Sequence, residues 1–201
     1  MDRPDARRGS HLRIILALGN MGEKYRDTRH NVAWWLADRL ARAWECPAFM
    51  PDGETSWTSC GSFDHRVELH KPLTYMNRSG LAVTSLIDSR DFDPAVDMLV
   101  LVDDVALSPG RFRLRPEGSP GGHNGLASIS GALGTEIFAR LRIGVGRPTD
   151  DKIELAEWVL APPTQGEEEA VLSTFSQATQ AIECWLEYGI EVGMNRFNVS
   201  T

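Results

Sequence analysis

"LRIILALGNMGEKYRDTRHN", residues 12–31, decides the fold. Apart from Arg13, its first seven residues are apolar and include two isoleucines, which suits a short buried strand. Gly19 and Gly22 then break the run. Asp27 or Thr28 is placed to cap a helix reaching about Glu45. That helix would bury a stripe of Ala33, Leu36, Ala37, Leu40 and Trp44. A buried strand, a glycine-bearing loop and an amphipathic helix in succession open an α/β sheet protein.

The rest of the chain repeats the alternation. "MLVLVDD" (98–104) is a second buried strand, ending in two acids, and "RLRIGVG" (140–146) is another. Residues 57–70 suit a hairpin turning at Asp64-His65, and residues 78–90 suit a helix. "RFRLR" (111–115) alternates, which puts Arg111, Arg113 and Arg115 on one face of a strand. After "GSPGGHNG", a helix turns Leu126, Ile129 and Leu133 inward. The last long helix opens with a capping box from Thr164 to Glu167. It carries Val171, Phe175, Ala178, Ile182, Trp185 and Leu186 on one stripe, and Gly189 is suited to stop it. The pattern predicts one α/β domain over residues 11–201, preceded by a flexible tail over residues 1–10. Its sheet is mixed, mostly parallel and twisted, with helices on both faces.

Composition narrows the class. No apolar run of the 201 residues approaches the roughly 20 that a membrane span needs, so a soluble, cytosolic protein is expected; a monomer is expected as well. Cys46, Cys60 and Cys184 are odd in number and lack metal-binding spacing, and are expected to be reduced and structural. The net charge of −7 is unevenly spread: residues 1–149 carry 19 Lys/Arg against 18 Asp/Glu, whereas residues 150–201 carry 2 against 10. A basic face is therefore available outside the last quarter. Arg111, Arg113 and Arg115, with Arg140, Arg142, Arg147, Lys71 and Arg78, would supply it.

Polar side chains gather in four stretches: "GNMGEKYRDTRHN" (19–31), "KPLTYMNRSG" (71–80), "VDDVALSPG" (102–110) and "GSPGGHNGL" (118–126). In an open α/β sheet the carboxyl ends of the strands form the ligand crevice. His30, at a helix start, is kept neutral and basic by the helix dipole. Asp103, at a strand end, can fix its tautomer and stabilise the imidazolium. A lone histidine there is usually a cap, but a cap does not account for Asn20, Tyr25 and Asn31 beside it. Asn20, Asn77 and Asn124 each lie in a glycine-containing loop. A single such asparagine reads as a turn residue; three suggest a polar pocket able to bind an oxyanion or hydroxyl without charge. Other chemistries are poorly matched. "GNMG" lacks the dinucleotide spacing, "GSPGGHNG" lacks the Lys-Ser/Thr of a nucleotide-binding loop, and Ser119 is not in a nucleophile elbow. His30, His123 and Asp103 could approach as a metal site, but no zinc-type spacing supports one.

These four blocks, in order, together with "RLRIGVGRP", "WVLAPP" and "GMNRFN", closely resemble bacterial-type peptidyl-tRNA hydrolase over roughly residues 12–198. The resemblance implies a single catalytic α/β domain, without metal or cofactor, that cleaves the ester between a peptide and the 3′-terminal ribose of tRNA and so recycles tRNA for translation. It implies His30 as general base and Asp103 as its orienter, and its substrate-contacting asparagines match Asn20, Asn77 and Asn124; the catalytic amide expected to bind the oxyanion is Asn20 or Asn124. Tyr25, Tyr75, Met76, Asn77, His123 and Asn124 match the substrate-binding positions. Arg113, Arg115 and Arg142 match basic residues facing the acceptor stem, and the acidic last helix is expected away from it. Departures are Met21 for a usual proline, Ala33 for a usual glycine, apolar Val105-Ala106, and Ser119-Pro120 in the glycine loop. Two rival functions are a non-catalytic RNA-binding module of the same fold and an esterase for small acyl esters.

Overall fold

The first buried run is strand β1 (Leu12–Ala17), the middle strand of a seven-stranded sheet. The structure, a computed structural model, describes residues 12–61, 66–87 and 92–198. β1 is flanked in parallel by β4 (Arg66–Pro72) and β5 (Met98–Asp104), and β7 (Ala139–Gly144) continues the parallel set beyond β5. β2 (Met50–Asp52) and β3 (Thr55–Cys60) extend one edge by antiparallel pairing, and β6 (Phe112–Arg115) closes the other. The order is β2-β3-β4-β1-β5-β7-β6, with five of the seven strands pointing one way.

Because the central strands are covered on both faces, they read as unbroken apolar runs. Ile15, Leu99, Leu101, Leu141 and Ile143 face α1 (Val32–Ala43) and α6 (Gln165–Tyr188). Leu16, Leu18, Met98, Val100 and Val102 face the other way, against α2 (Gly80–Ile87) and α4 (Asn124–Leu133). The stripes expected on α1 and α6 are buried, the capping box at Thr164 is present, and α6 ends at Gly189 with φ 83°. Four short elements carry too few periodic positions to be read from sequence: β2, α3 (Pro94–Asp97), α5 (Leu155–Leu160) and α7 (Ile190–Phe197). No described helix is long and apolar enough to cross a membrane.

Several expectations change. Neither Asp27 nor Thr28 caps α1 through its side chain; a 3-10 turn over Arg29–Asn31 comes first, and the Thr28 hydroxyl donates to the Tyr25 carbonyl. Cys46 and Cys60 are bridged by a disulfide, which corrects the expectation of three reduced cysteines; Cys184 is free and buried. Sequence spacing does not show that the exit of α1 meets the end of β3, where the two Cα atoms are 4.8 Å apart. β3 and β4 pair as a hairpin, but its turn at Asp64-His65 lies outside the described residues, as do the tail over residues 1–10 and residues 88–90 of the predicted second helix.

The arginine strand is an edge strand. Arg113 lies opposite Arg142 on β7, and Arg115 opposite Arg140. Leu114, between them, points to the α6 side, so all four arginines share the opposite face. Arg111 falls just before the strand. The outer edge of β6 is closed at Leu114, whose N–H and C=O both bond to the side-chain amide of Asn198. That blocks further strand addition there.

Candidate active site

At the end of β1 the chain turns through Gly19 into Asn20, and two asparagines lock the turn. The Asn20 N–H donates to Asn31 Oδ1 at 2.8 Å, and Asn31 Nδ2 donates to the Asn20 carbonyl at 3.0 Å. The Asn20 side chain accepts the Met76 N–H on Oδ1 at 2.8 Å. Its oxygen is thereby committed, and its amide nitrogen is left to donate.

His30 sits in the 3-10 turn, 8% exposed, and its Nδ1–H donates to Asp103 Oδ1 at 2.8 Å. Asp103, at the end of β5, is 3% exposed. Burial by itself would raise its pKa, but the charge and hydrogen bonding of His30 and His123 together hold it well below the usual carboxylate range. With Nδ1 donating to an ionised carboxylate, His30 carries its lone pair on Nε2.

His123 completes the cluster from the far side. It is the N-cap of α4, and its Nδ1 accepts from the N–H groups of Gly125 and Leu126. Nε2 must then carry the proton, and it donates to the same Asp103 oxygen at 2.9 Å. Protonating Nδ1 would cost α4 two cap bonds. The two imidazoles lie 4.9 Å apart, tilted by 53°. Gly125 lets the start of α4 pack closely on the core: a Cβ there would meet Met76 Sδ at 2.6 Å and Leu18 Cδ1 at 2.8 Å.

Among the described residues, His30, Asp103 and His123 are the set whose ligand atoms lie within 4.8 Å of one another. Both imidazoles direct an N–H at the one carboxylate, and a metal would have to displace both. The arrangement suits a base with its orienter.

Met76 is buried beneath the cleft, in a 3-10 turn, Met76–Arg78, that packs on α4. Tyr75 just before this turn, Asn77 on it, and Asn124 at the start of α4 are exposed. Tyr25 is half-buried with Lys24 Nζ 4.6 Å above its ring; hydrogen bonding to Tyr25, and Tyr75 nearby, raise the Lys24 pKa. The structure thus joins Asn20, His30, Asp103 and His123 directly, and sets Tyr25, Tyr75, Asn77 and Asn124 on the flanking segments.

Four arginines on one face would repel, and the protein resolves this by committing two. Arg140 is buried and donates to the carbonyls of Gly118, Glu136 and Phe138; burial, then Arg142, push its pKa down to about 10. Arg142 donates to Asp104 Oδ2 at 3.1 Å and to the Ser119 carbonyl at 3.3 Å. Together they hold the glycine loop. Lys71, also expected on the basic side, is buried against Asp38. Arg113 and Arg115 keep their heads free of ion pairs among the described residues.

Sequence reading missed Arg29. It is 3% exposed, donates to the carbonyls of Trp158, Ala161 and Pro162, pairs with Glu167 at 2.7 Å and stacks 3.5 Å from the Trp158 ring. An arginine beside His30 in the motif was the available signal, but its partners lie some 130 residues away. The first turn of α6 therefore reaches the turn that carries His30, although the body of α6 lies on the face opposite the arginines.

Residues 14–201 match the Peptidyl-tRNA hydrolase family. A curated peptidyl-tRNA hydrolase of Symbiobacterium thermophilum is 46% identical over 191 residues, covering 92% of this chain and 98% of the relative. One from Geobacillus thermodenitrificans is 40% identical over 188 residues, covering 93% and 100%. The crystal structure of peptidyl-tRNA hydrolase from Acinetobacter baumannii superposes with TM-score 0.87 at 30% identity, covering 96% of this chain and 99% of the other.

Proposed function

The chain belongs to the peptidyl-tRNA hydrolase family, and on that premise we propose that it cleaves the ester between the peptide and the 3′-terminal ribose of peptidyl-tRNA with His30 as the base. His30 Nε2 takes a proton from water as the oxygen attacks the ester carbonyl. Asp103 stabilises the imidazolium that forms. The Asn20 amide, its oxygen held by Met76, donates to the developing oxyanion. The tetrahedral intermediate then collapses. The bond to the ribose oxygen breaks, His30 returns its proton to that oxygen, and free peptide and tRNA leave. An ester leaves readily, so one positioned base suffices.

Tyr25, Tyr75, Met76, Asn77 and Asn124 line the path of the peptide and the terminal nucleotide. Arg113 and Arg115 take phosphates of the acceptor stem, beside the glycine loop that Arg140 and Arg142 hold.

The observation that carries the mechanism is the shared acceptor: both imidazoles donate to Asp103 Oδ1, which leaves His30 Nε2 as the cluster's lone pair. A purely RNA-binding member would not need that arrangement. Deacylation of peptidyl-tRNA by His30→Ala is the test, with folding checked by circular dichroism. Loss of turnover by a folded variant is expected; normal turnover would remove His30 from the mechanism.

A further inference from the structure

Outside the cleft, α1 borders two adjoining grooves. One, of about 340 Å³, runs from Gly22 and Arg26 past Trp34; the other, of about 430 Å³, runs past Arg39 and Arg42 to Leu172 and Phe175 on α6. They share Trp35 and Asp38 and so form one trench. Its apolar wall is fixed: the indole N–H of Trp34 donates to the Ala17 carbonyl and that of Trp35 to the Arg26 carbonyl. Leu172 is 46% exposed, an apolar side chain presented to solvent.

The charges along the trench are unequal. Arg26 is held by Glu23, and Asp38 by Lys71. Arg39 and Arg42 are exposed, share a helix face and make no ion pair among the described residues. An apolar floor beneath two uncommitted guanidinium groups suits an occupant that is anionic and partly apolar.

We propose that this trench is a distal subsite for the peptide arm of the substrate, selecting acidic residues several positions from the scissile ester. The proposal rests on the hydrolase reading above. Two arms leave that ester. The free arginines of β6 lie at one end of the sheet, on the face opposite α1, and suit the RNA arm. The trench begins at Gly22, two residues past Asn20, on the α1 side. An RNA duplex presents a broad surface that grooves of this size do not admit, whereas an extended peptide places alternate side chains into them.

The test uses peptidyl-tRNAs sharing one C-terminal dipeptide and extended at the N-terminus by Asp-rich, Ser-rich or Lys-rich segments. The bare dipeptidyl-tRNA is the control. For the unaltered enzyme, KM is expected to be about 5- to 10-fold lower with the Asp-rich than with the Lys-rich extension, the scale of two exposed ion pairs. Arg39→Glu/Arg42→Glu should reverse that order and Arg39→Gln/Arg42→Gln should abolish it, with dipeptidyl-tRNA cleaved as before. Equal KM for all extensions with the unaltered enzyme overturns the subsite. An equal rise in KM on every substrate in the variants, dipeptidyl-tRNA included, assigns the trench to RNA and also overturns it. Failure of the unaltered enzyme to cleave any of the substrates overturns the hydrolase reading itself.

Discussion

The catalytic cluster and the arginine face handle charge in opposite ways. At the cluster, one carboxylate serves two imidazoles, and their nitrogens are assigned: His123 Nδ1 accepts the cap bonds and its Nε2 donates to Asp103, while His30 Nδ1 donates to Asp103. On β6 and β7, four like charges stand in register, and two are withdrawn into carbonyl and carboxylate contacts. Burial makes the first site rigid, because an unmet bond there costs the full desolvation of the group. Exposure lets the second site keep two free cations that act mainly through screened attraction. The first thus suits the proposed chemistry and the second the proposed hold on a polyanion.

Substitutions should separate the two regions. The largest effect belongs to His30→Ala, which should lower kcat by about 100-fold or more while KM stays near its original value. Steady-state deacylation kinetics check this, and a change confined to KM would blur the contrast between the regions.

His123 comes next. His123→Ala should slow turnover about tenfold, the scale of losing one hydrogen bond to a charged group, and lower stability by about 1 kcal/mol through loss of the cap. His123→Asn keeps a capping side chain but not the reach to Asp103. It should restore stability without restoring turnover, which thermal melts and kinetics together resolve.

Asp103 also marks the cluster in acid. Its native pKa is depressed, so its contribution to stability is complete above the unfolded carboxyl value of about 4 and fades as pH falls toward the native value. The stability gap between the unaltered protein and Asp103→Asn should therefore be constant near neutrality and shrink below about pH 4. A gap that widens in acid would contradict the assignment.

Smaller again are Arg113→Ala and Arg115→Ala. Each should raise KM on peptidyl-tRNA and flatten the log–log salt dependence by about 0.9. Neither should change melting or cleavage of a minimal peptidyl-nucleoside ester. Arg140→Ala should do the reverse, destabilising the fold by removing a buried side chain that ties the Gly118, Glu136 and Phe138 carbonyls together. The least effect on turnover is expected from breaking the Cys46–Cys60 bridge, remote from the cluster. Cys46→Ser/Cys60→Ser should leave kcat unchanged and cost up to about 3 kcal/mol of stability for a loop of this length.

Much of this was legible in the sequence. The buried runs at 12–18, 98–104 and 140–146 became neighbouring parallel strands, because strands covered on both faces must be apolar throughout. His30, Asp103 and Asn20 stood at strand ends and loops, where an α/β sheet makes its crevice. The short elements were not legible, since β2 has three residues and α5 six with none buried, too few to show a period. Which arginines are free was equally hidden: Arg113, Arg115, Arg140 and Arg142 look alike in sequence.

What the sequence by itself determined was local: the period of each longer element, the cap at Thr164, and the residue types gathered beside the glycines. Tertiary structure alone decided the partnerships. It put His123 on the oxygen that His30 uses, placed Arg29 among carbonyls some 130 residues on, and brought Cys46 to Cys60. The reason is physical. A period or cap depends on residues within one or two turns of the chain, whereas a hydrogen bond or disulfide is decided by ångström-scale distances between segments that meet only when the sheet and its two helix layers pack.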